Sequence, residues 1–361
     1  MNKILTLRLL LFIFGSLPAQ ASQPDSIINS NNTPNIGPEY NPWDMAIDQK
    51  QNLWVVTHKG INRFDCSEWH SYPHTLSLIT HHIHHDLNGI IWLGSSTLFG
   101  FIAQFDGTNW DWELQTFVTG FANAPDSSVW ISHLFGLKQY KNGLYINCSD
   151  STGYPSNMDN YTMAVDTAGL VWMGGQFGLL SFDGHVFTPY GTEEGMPLGP
   201  VEWIEFDGED CMWALSGNTL GVWDRKEWKL FDQQDGLLPG RRKLCNDGTG
   251  QIWVLSFDTP GLNLVQGDSL VEYVLPNMDG EIITDVKRDL TNVLWFSIRS
   301  RGVLKVSPDG EYTLYQGNSI NDSRNIAFDR DETLWISNFG GISSLDKNGE
   351  WTFRNLSTGF F

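Results

Sequence analysis

The stretch Met163-Ala-Val-Asp166-Thr-Ala-Gly169-Leu-Val-Trp172-Met-Gly-Gly175-Gln-Phe177-Gly178-Leu-Leu-Ser-Phe182-Asp-Gly184 decides how this chain folds. Asp166-Thr-Ala-Gly169 has the composition of a tight turn, in which an Asp side chain accepts from backbone amides further along. Short apolar runs flank it, and Gly175-Gln-Phe-Gly178 supplies a second turn into a third run, so the segment reads as consecutive antiparallel strands. Its landmarks recur through the chain. Trp54, Trp92, Trp130, Trp172, Trp213, Trp253, Trp295 and Trp335 are separated by 38, 38, 42, 41, 40, 42 and 40 residues. Six residues before them stand Asp48, Asp86, Asp166, Asp207, Asp247, Asp289 and Asp329, with Ala124 the one exception. Nine residues before each Trp is a large apolar residue, from Met45 and Ile83 through Ile326, and six to eight residues after it is a Gly.

A period near 40 marks a repeat architecture. The first unit predicts strands at Met45–Asp48, Leu53–Thr57, Gly60–Phe64 and Trp69–Tyr72, too short and too free of a 3.6-residue period for helical repeats. Four antiparallel strands per 40 residues make a propeller blade, whose two apolar faces pack on its neighbours. The fold expected is therefore all-β: a single β-propeller of eight four-stranded blades over residues 43–361, with seven blades as the alternative. No second domain is expected.

These units resemble the two-component regulator propeller repeat found in the periplasmic sensor regions of bacterial two-component systems. The resemblance covers about residues 43–356 and rests on the Asp, Trp and Gly spacing of Met163–Gly184 and its weaker copies. It implies the propeller and a binding role. The family's sensors usually carry two seven-bladed rings, an immunoglobulin-like domain, a membrane helix and a kinase; one ring of eight repeats departs from that plan.

The composition suits an aromatic-rich β core joined by many turns: 13% aromatic, 18% charged, with 16 Trp, 21 Phe and 36 Gly. With 22 Lys+Arg against 42 Asp+Glu, the formal charge is -20, which repels phosphate backbones and argues against nucleic acid. Residues 1–21 read as a signal peptide: Lys3 and Arg8, an apolar run Leu9–Phe14, and Ala19-Gln-Ala21 as the cleavage site. Residues 22–42, rich in Asn, Ser and Pro, read as a leader segment. No later run has the roughly 20 apolar residues of a membrane span, so an exported, periplasmic or secreted monomer is expected. Cys66, Cys148, Cys211 and Cys245 fall in blades 1, 3, 5 and 6, a spread that disfavours bridges and predicts free thiols.

The repeated aspartates read as turn caps and the repeated tryptophans as core, which leaves no catalytic set, cofactor or metal. His81-His-Ile-His84-His-Asp86 places His82 and His84 at the i,i+2 spacing of metal ligands, but with no third ligand the residues read as channel wall. His84, Glu205 and Lys287, each eight residues before its Trp, are the channel candidates, and Glu202 joins Glu205 and His84 as acid–base candidates if the protein is a lyase- or glycosidase-type enzyme. A binding module is the favoured reading. Alternating strand directions put the second-to-third-strand loops on one face with the connections between blades. On that looped face fall Phe99, His133, Phe135, Gln176, Phe177, Asn218, Phe257, Asp258, Arg299, Arg301, Asn338 and Phe339, an aromatic, amide and arginine mixture suited to a carbohydrate or a protein ligand, with a signalling protein as a further partner or a pure protein-contact scaffold as the third reading. The signal reading predicts that protein recovered from an exporting host begins at Ser22; Edman sequencing that finds Met1 retained overturns it.

Overall fold

The computed structural model describes residues 44–355 except 49, 51, 58–59, 66–67, 74–81, 96–99, 115–116, 151–152, 156–158, 191–194, 197–198, 267–268, 318–319, 321, 330 and 339–340. The expected signal peptide and the whole of the leader lie outside the described residues, as do Phe99, Phe339, Cys66 and His81. The chain forms eight four-stranded antiparallel sheets, each made of four consecutive strands. Eight blades are present, and the seven-bladed alternative falls. In blade 4 the strands are Asn160–Val165, Val171–Gly175, Gly178–Phe182 and Phe187–Tyr190, with Ala164 opposite Trp172 and Trp172 opposite Ser181. No helix among the described residues is long and apolar enough to cross a membrane.

First strands face the axis. Each touches the first strand of the blade before and after it, and Asp44–Ile47 of blade 1 meets Ser323–Phe328 of blade 8, so the ring closes on itself. No blade borrows a strand from the other end of the chain. Closure rests on apolar packing instead: Leu53, Val55 and Phe64 of blade 1 cluster with Trp335 and Ile342 of blade 8.

The repeated Trp has the same task in every gap between blades: its indole packs on a residue near the end of the next blade's third strand. Trp54 meets Phe105, Trp92 meets Tyr140, Trp130 meets Phe182, Trp172 meets Trp223 and Trp335 meets Phe64, at centroid distances of 5.7, 4.8, 5.8, 5.2 and 5.4 Å with the rings steeply inclined. Val265, Val306 and Leu345 share clusters with Trp213, Trp253 and Trp295 in the remaining gaps. Such edge-to-face pairs add about 0.5–1.5 kcal/mol each beyond burial.

The repeated Asp does two things at once. Oδ1 accepts backbone amides of the turn, as from Ala168 N at 3.1 Å and Leu170 N at 2.8 Å onto Asp166. Oδ2 accepts the indole N–H six residues on. That bond measures 2.7 Å from Trp54 to Asp48, 3.1 Å from Trp172 to Asp166, and 2.9 Å from Trp213, Trp295 and Trp335 to Asp207, Asp289 and Asp329. One carboxylate thus closes the turn and satisfies the polar atom of a buried ring. Arginines extend two of these locks between blades: Arg225 donates to Asp166 Oδ2 at 2.8 Å, and Arg288 to Asp247 Oδ2 at 2.9 Å. Burial alone would raise Asp166, Asp247 and Asp289, but the donors around them hold all three below the ordinary carboxylate range. The stabilisation is therefore present at neutral pH and lost as pH falls through the depressed values, below about 4.

Blade 3 shows what the lock prevents. Ala124 replaces the Asp, and the buried Trp130 Nε1 has no hydrogen-bond partner. Replacing Asp289 by Ala should create the same defect and cost about 1–3 kcal/mol. Ala124→Asp should recover about 0.5–1.5 kcal/mol. Urea unfolding followed by Trp fluorescence checks both, and a midpoint unmoved by Asp289→Ala would show that the lock contributes nothing.

Candidate functional site

The looped face is built as the strand directions require. Backbone bonds tie second-to-third-strand turns to the connections between blades: Leu134 N to Phe117 O, Asn160 N to Leu134 O, Gln176 N to Asp159 O, Phe257 N to Arg241 O and Arg299 N to Ile282 O, at 2.8–3.0 Å. Positive φ is needed where third strands begin, and Gly178, Gly261 and Gly302 supply it at 105°, 108° and 106°. In blade 3 Gly136 has a different role: a Cβ there would lie 2.7 Å from the His133 ring.

The candidates on this face divide sharply. Phe135 and Phe177, at equivalent turns of neighbouring blades, are 61% and 63% exposed, and Gln176 and Asn218 are exposed beside them. Phe257 is half-buried. Asp258 is engaged by Arg241, which donates to it through Nε at 3.2 Å and Nη2 at 3.1 Å. Arg299 donates to Phe257 O at 3.3 Å; Arg301 donates to Asn277 O at 3.2 Å and lies 3.8 Å from Glu281 Oε1. Both arginines therefore brace loops and connections. Asn338 is buried and donates to Ser343 Oγ at 3.2 Å. Burial, reinforced by Lys138, pushes His133 down to about 4, so its imidazole is neutral.

The sequence reading missed Tyr161, 43% exposed at the start of blade 4's first strand. Asn160 pairs with Gly175 and Thr162 with Gly174, so Tyr161 is the extra residue of a β-bulge. Its neighbours in the chain bond the turns carrying Phe135 and Phe177 through Asn160 N and Asp159 O. The three aromatics share one arc of the face. Matching bulges fall at Thr119, Glu202, Thr284 and Arg324, each eleven residues before its Trp. That offset is in the sequence, but nothing in residue type marks it.

Along the channel, the position eight residues before each Trp is Ala46, His84, Ala122, Ala164, Glu205, Cys245, Lys287 and Ala327. His84 shares its Nε2 with Asn123 Oδ1 of blade 3 at 3.0 Å and lies parallel to Phe121; burial lowers its pKa against that bond. Glu205 and Lys287 do interact electrostatically across blades 5 to 7. Burial raises Glu205, whose carboxylate accepts Trp203 Nε1 at 3.3 Å, while Lys287 and Lys243 pull it the other way. Burial also works against the charge of Lys287, yet Asp285, Cys245, Glu205 and Asp247 together hold its pKa above the ordinary value. Glu202 is exposed at its bulge.

One group of metal-ligand type gathers among the described residues: Asp65, Glu68 and His70, in the outer hairpin of blade 1. His70 Nε2 lies 2.6 Å from Asp65 Oδ2 and Arg63 lies 3.8 Å from the same oxygen, an arrangement explained by ion pairing within the hairpin.

No protein-family model matches this chain, and no curated protein sequence does. Solved structures do. A streptogramin B lyase superimposes with TM-score 0.56 at 12% identity, covering 87% of this chain and 96% of the lyase. PorZ, a surface component of the type-IX secretion system of Porphyromonas gingivalis, superimposes with TM-score 0.51 at 14% identity over 84% of this chain and 51% of PorZ. Extracellular domains of putative one-component and hybrid two-component systems from B. thetaiotaomicron are also similar; that of the putative one-component system matches with TM-score 0.47 at 15% identity, over 89% of this chain and 53% of its own. At such identities the likeness shows the propeller fold.

Cys148, Cys211 and Cys245 are free thiols. Burial pushes Cys148 up to about 11, and burial with Asp285 pushes Cys245 up to about 12. Denatured without reductant, the protein should titrate at least three thiols with DTNB, while in the native state at pH 8 Cys148 and Cys245 should stay unlabelled; rapid native labelling of either would contradict their burial.

Proposed function

We propose that this chain is an exported recognition module that binds carbohydrate on the blade 3–4 sector of its looped face. The observation that carries this is the exposure of Phe135 and Phe177, two large apolar rings held out at the same turn of adjacent blades. Large side chains left open at equivalent places, beside polar neighbours, have the character of a binding surface. Tyr161, Gln176 and Asn218 supply hydroxyl and amide groups for orientation, and the flat phenyl faces suit the C–H faces of a sugar ring. The rest of the blade structure would be unaffected by changes here, because neither ring fills a gap between blades. The signal-like N-terminus and the resemblance to periplasmic sensor propellers support an extracytoplasmic location.

A glycan array with the purified mature protein tests the reading. Covering each phenyl ring contributes about 1.5–3 kcal/mol, so Phe135→Ala with Phe177→Ala should weaken binding at least tenfold. The urea midpoint should stay where it is. Undiminished affinity in the folded double variant would place the site elsewhere, and an empty array with photo-crosslinking from these positions to another protein would replace the sugar by a protein ligand.

A further inference from the structure

The channel holds a cavity that the looped-face reading does not use. It is about 470 Å³, within the usual range of small-molecule pockets. It lies between the first strands of blades 6, 7, 8 and 1, toward the tight-turn end where Asp247 and Gly248 stand. Met45, Ile326 and Phe328 make its apolar wall; Asp285, Lys287 and Asn325 bring polar groups to it.

Hydrogen-bond accounting across those groups is lopsided. Asp285 is engaged by protein donors on both oxygens: Oδ1 accepts Val286 N at 3.0 Å and the Cys245 thiol at 2.9 Å, and Oδ2 accepts Ile326 N at 2.9 Å. Asp247 is occupied likewise, accepting from Thr249 N and Oγ1 at 3.0 and 2.7 Å, from Arg288 Nε at 2.9 Å and from Trp253 Nε1 at 3.4 Å. Arg288 is anchored at its turn through Nε on Asp247 and Nη1 on Asn292 Oδ1. Lys287 is less engaged. Of its three N–H donors one reaches Asn246 O at 2.7 Å, and among the described residues no carboxylate lies within the 4.0 Å of an ion pair. The Asn325 side-chain amide makes no hydrogen bond to the described protein, its backbone alone bonding Ser337.

The charge of Lys287 is held by the field of the surrounding acids, but two of its N–H donors have no hydrogen-bond partner among the described residues, and partly buried donors left unpaired cost free energy. The neighbouring carboxylates take their hydrogen bonds from other groups. We propose that this cavity binds a small organic monocarboxylate, its carboxylate on Lys287 and Asn325 and its apolar body on Met45, Ile326 and Phe328. A single charge fits better than two, because Asp247, held below the ordinary carboxylate range, also lines the cavity and repels a dianion more strongly than a monoanion.

Benzoate and hexanoate are the probes, with benzamide as the neutral counterpart and sulfate as the dianion. By calorimetry and thermal shift on the mature protein, both carboxylates should bind and raise the unfolding temperature, and benzamide and sulfate should bind at least about tenfold more weakly. Lys287→Met, close in volume, should abolish the response. Asn325→Leu keeps the ammonium and should weaken binding about threefold or more, deciding the matter if Lys287→Met fails to fold. Benzamide or sulfate equal to benzoate, no carboxylate binding at millimolar concentration, or unchanged affinity in a folded Lys287 or Asn325 variant would each overturn the proposal. Phe135→Ala with Phe177→Ala should leave benzoate binding intact, so failure here and failure of the looped-face site are separable.

Discussion

Seven times in this ring a single aspartate carboxylate holds a turn with one oxygen and a buried indole with the other. The arrangement resolves a conflict specific to propellers. Gaps between blades need large rings, and Trp is the largest, but its N–H cannot be left dry in a core without cost. Placing the acceptor six residues earlier, at the turn between the first and second strands, meets that requirement within the blade itself. Each blade can then offer its indole to the next blade's third strand with no polar atom outstanding, and the ring needs no shared strand to close. Blade 3 departs from the pattern and keeps its place because the edge-to-face contact of Trp130 with Phe182 is retained, at 5.8 Å.

That lock also makes the two ends of the ring unequal. At the tight-turn end, side chains are engaged by backbone amides and indoles, and arginines such as Arg225 and Arg288 tie adjacent blades through the same carboxylates. At the other end, connections between blades meet second-to-third-strand turns that also vary in length, and side chains there answer to no repeated constraint. Blades 3 and 4 leave their turn phenylalanines in solvent, whereas blades 6 and 7 use their loop residues on one another: Arg241 with Asp258, Arg299 with Phe257 O. The face is therefore open over one arc and braced over another.

Inside the channel, electrostatics follows from the same repeat. Four alanines stand where the other blades place His84, Glu205, Cys245 and Lys287. Small residues let first strands approach closely, and charge is confined to the blade 5–7 arc, where Glu205 and Lys287 influence each other. His84, on blade 2, is committed to Asn123.

The number of blades, their strands and the turn role of the aspartates were legible from sequence alone, because each depends on residues fewer than ten apart and repeats seven or eight times. The indole bond was not read from the sequence although Asp and Trp share a constant offset of six, and the missing partner of Trp130 beside Ala124 was seen only in the fold. What tertiary structure decided concerns partners roughly forty residues away. Asn338 and Phe177 both lie near the junction of a second and a third strand, yet Asn338, ending its strand, is buried and Phe177, in the turn itself, is exposed. Arg299 and Arg301 look like free cations in an acidic chain until the connection between blades 6 and 7 folds against them. Lys287 looks paired, with Asp285 two residues away, until the thiol of the preceding blade and the amide of the following one are seen to occupy that carboxylate. Periodicity specifies a blade through short-range bonds; which side chains remain free is settled only when one blade's donors meet the next blade's acceptors.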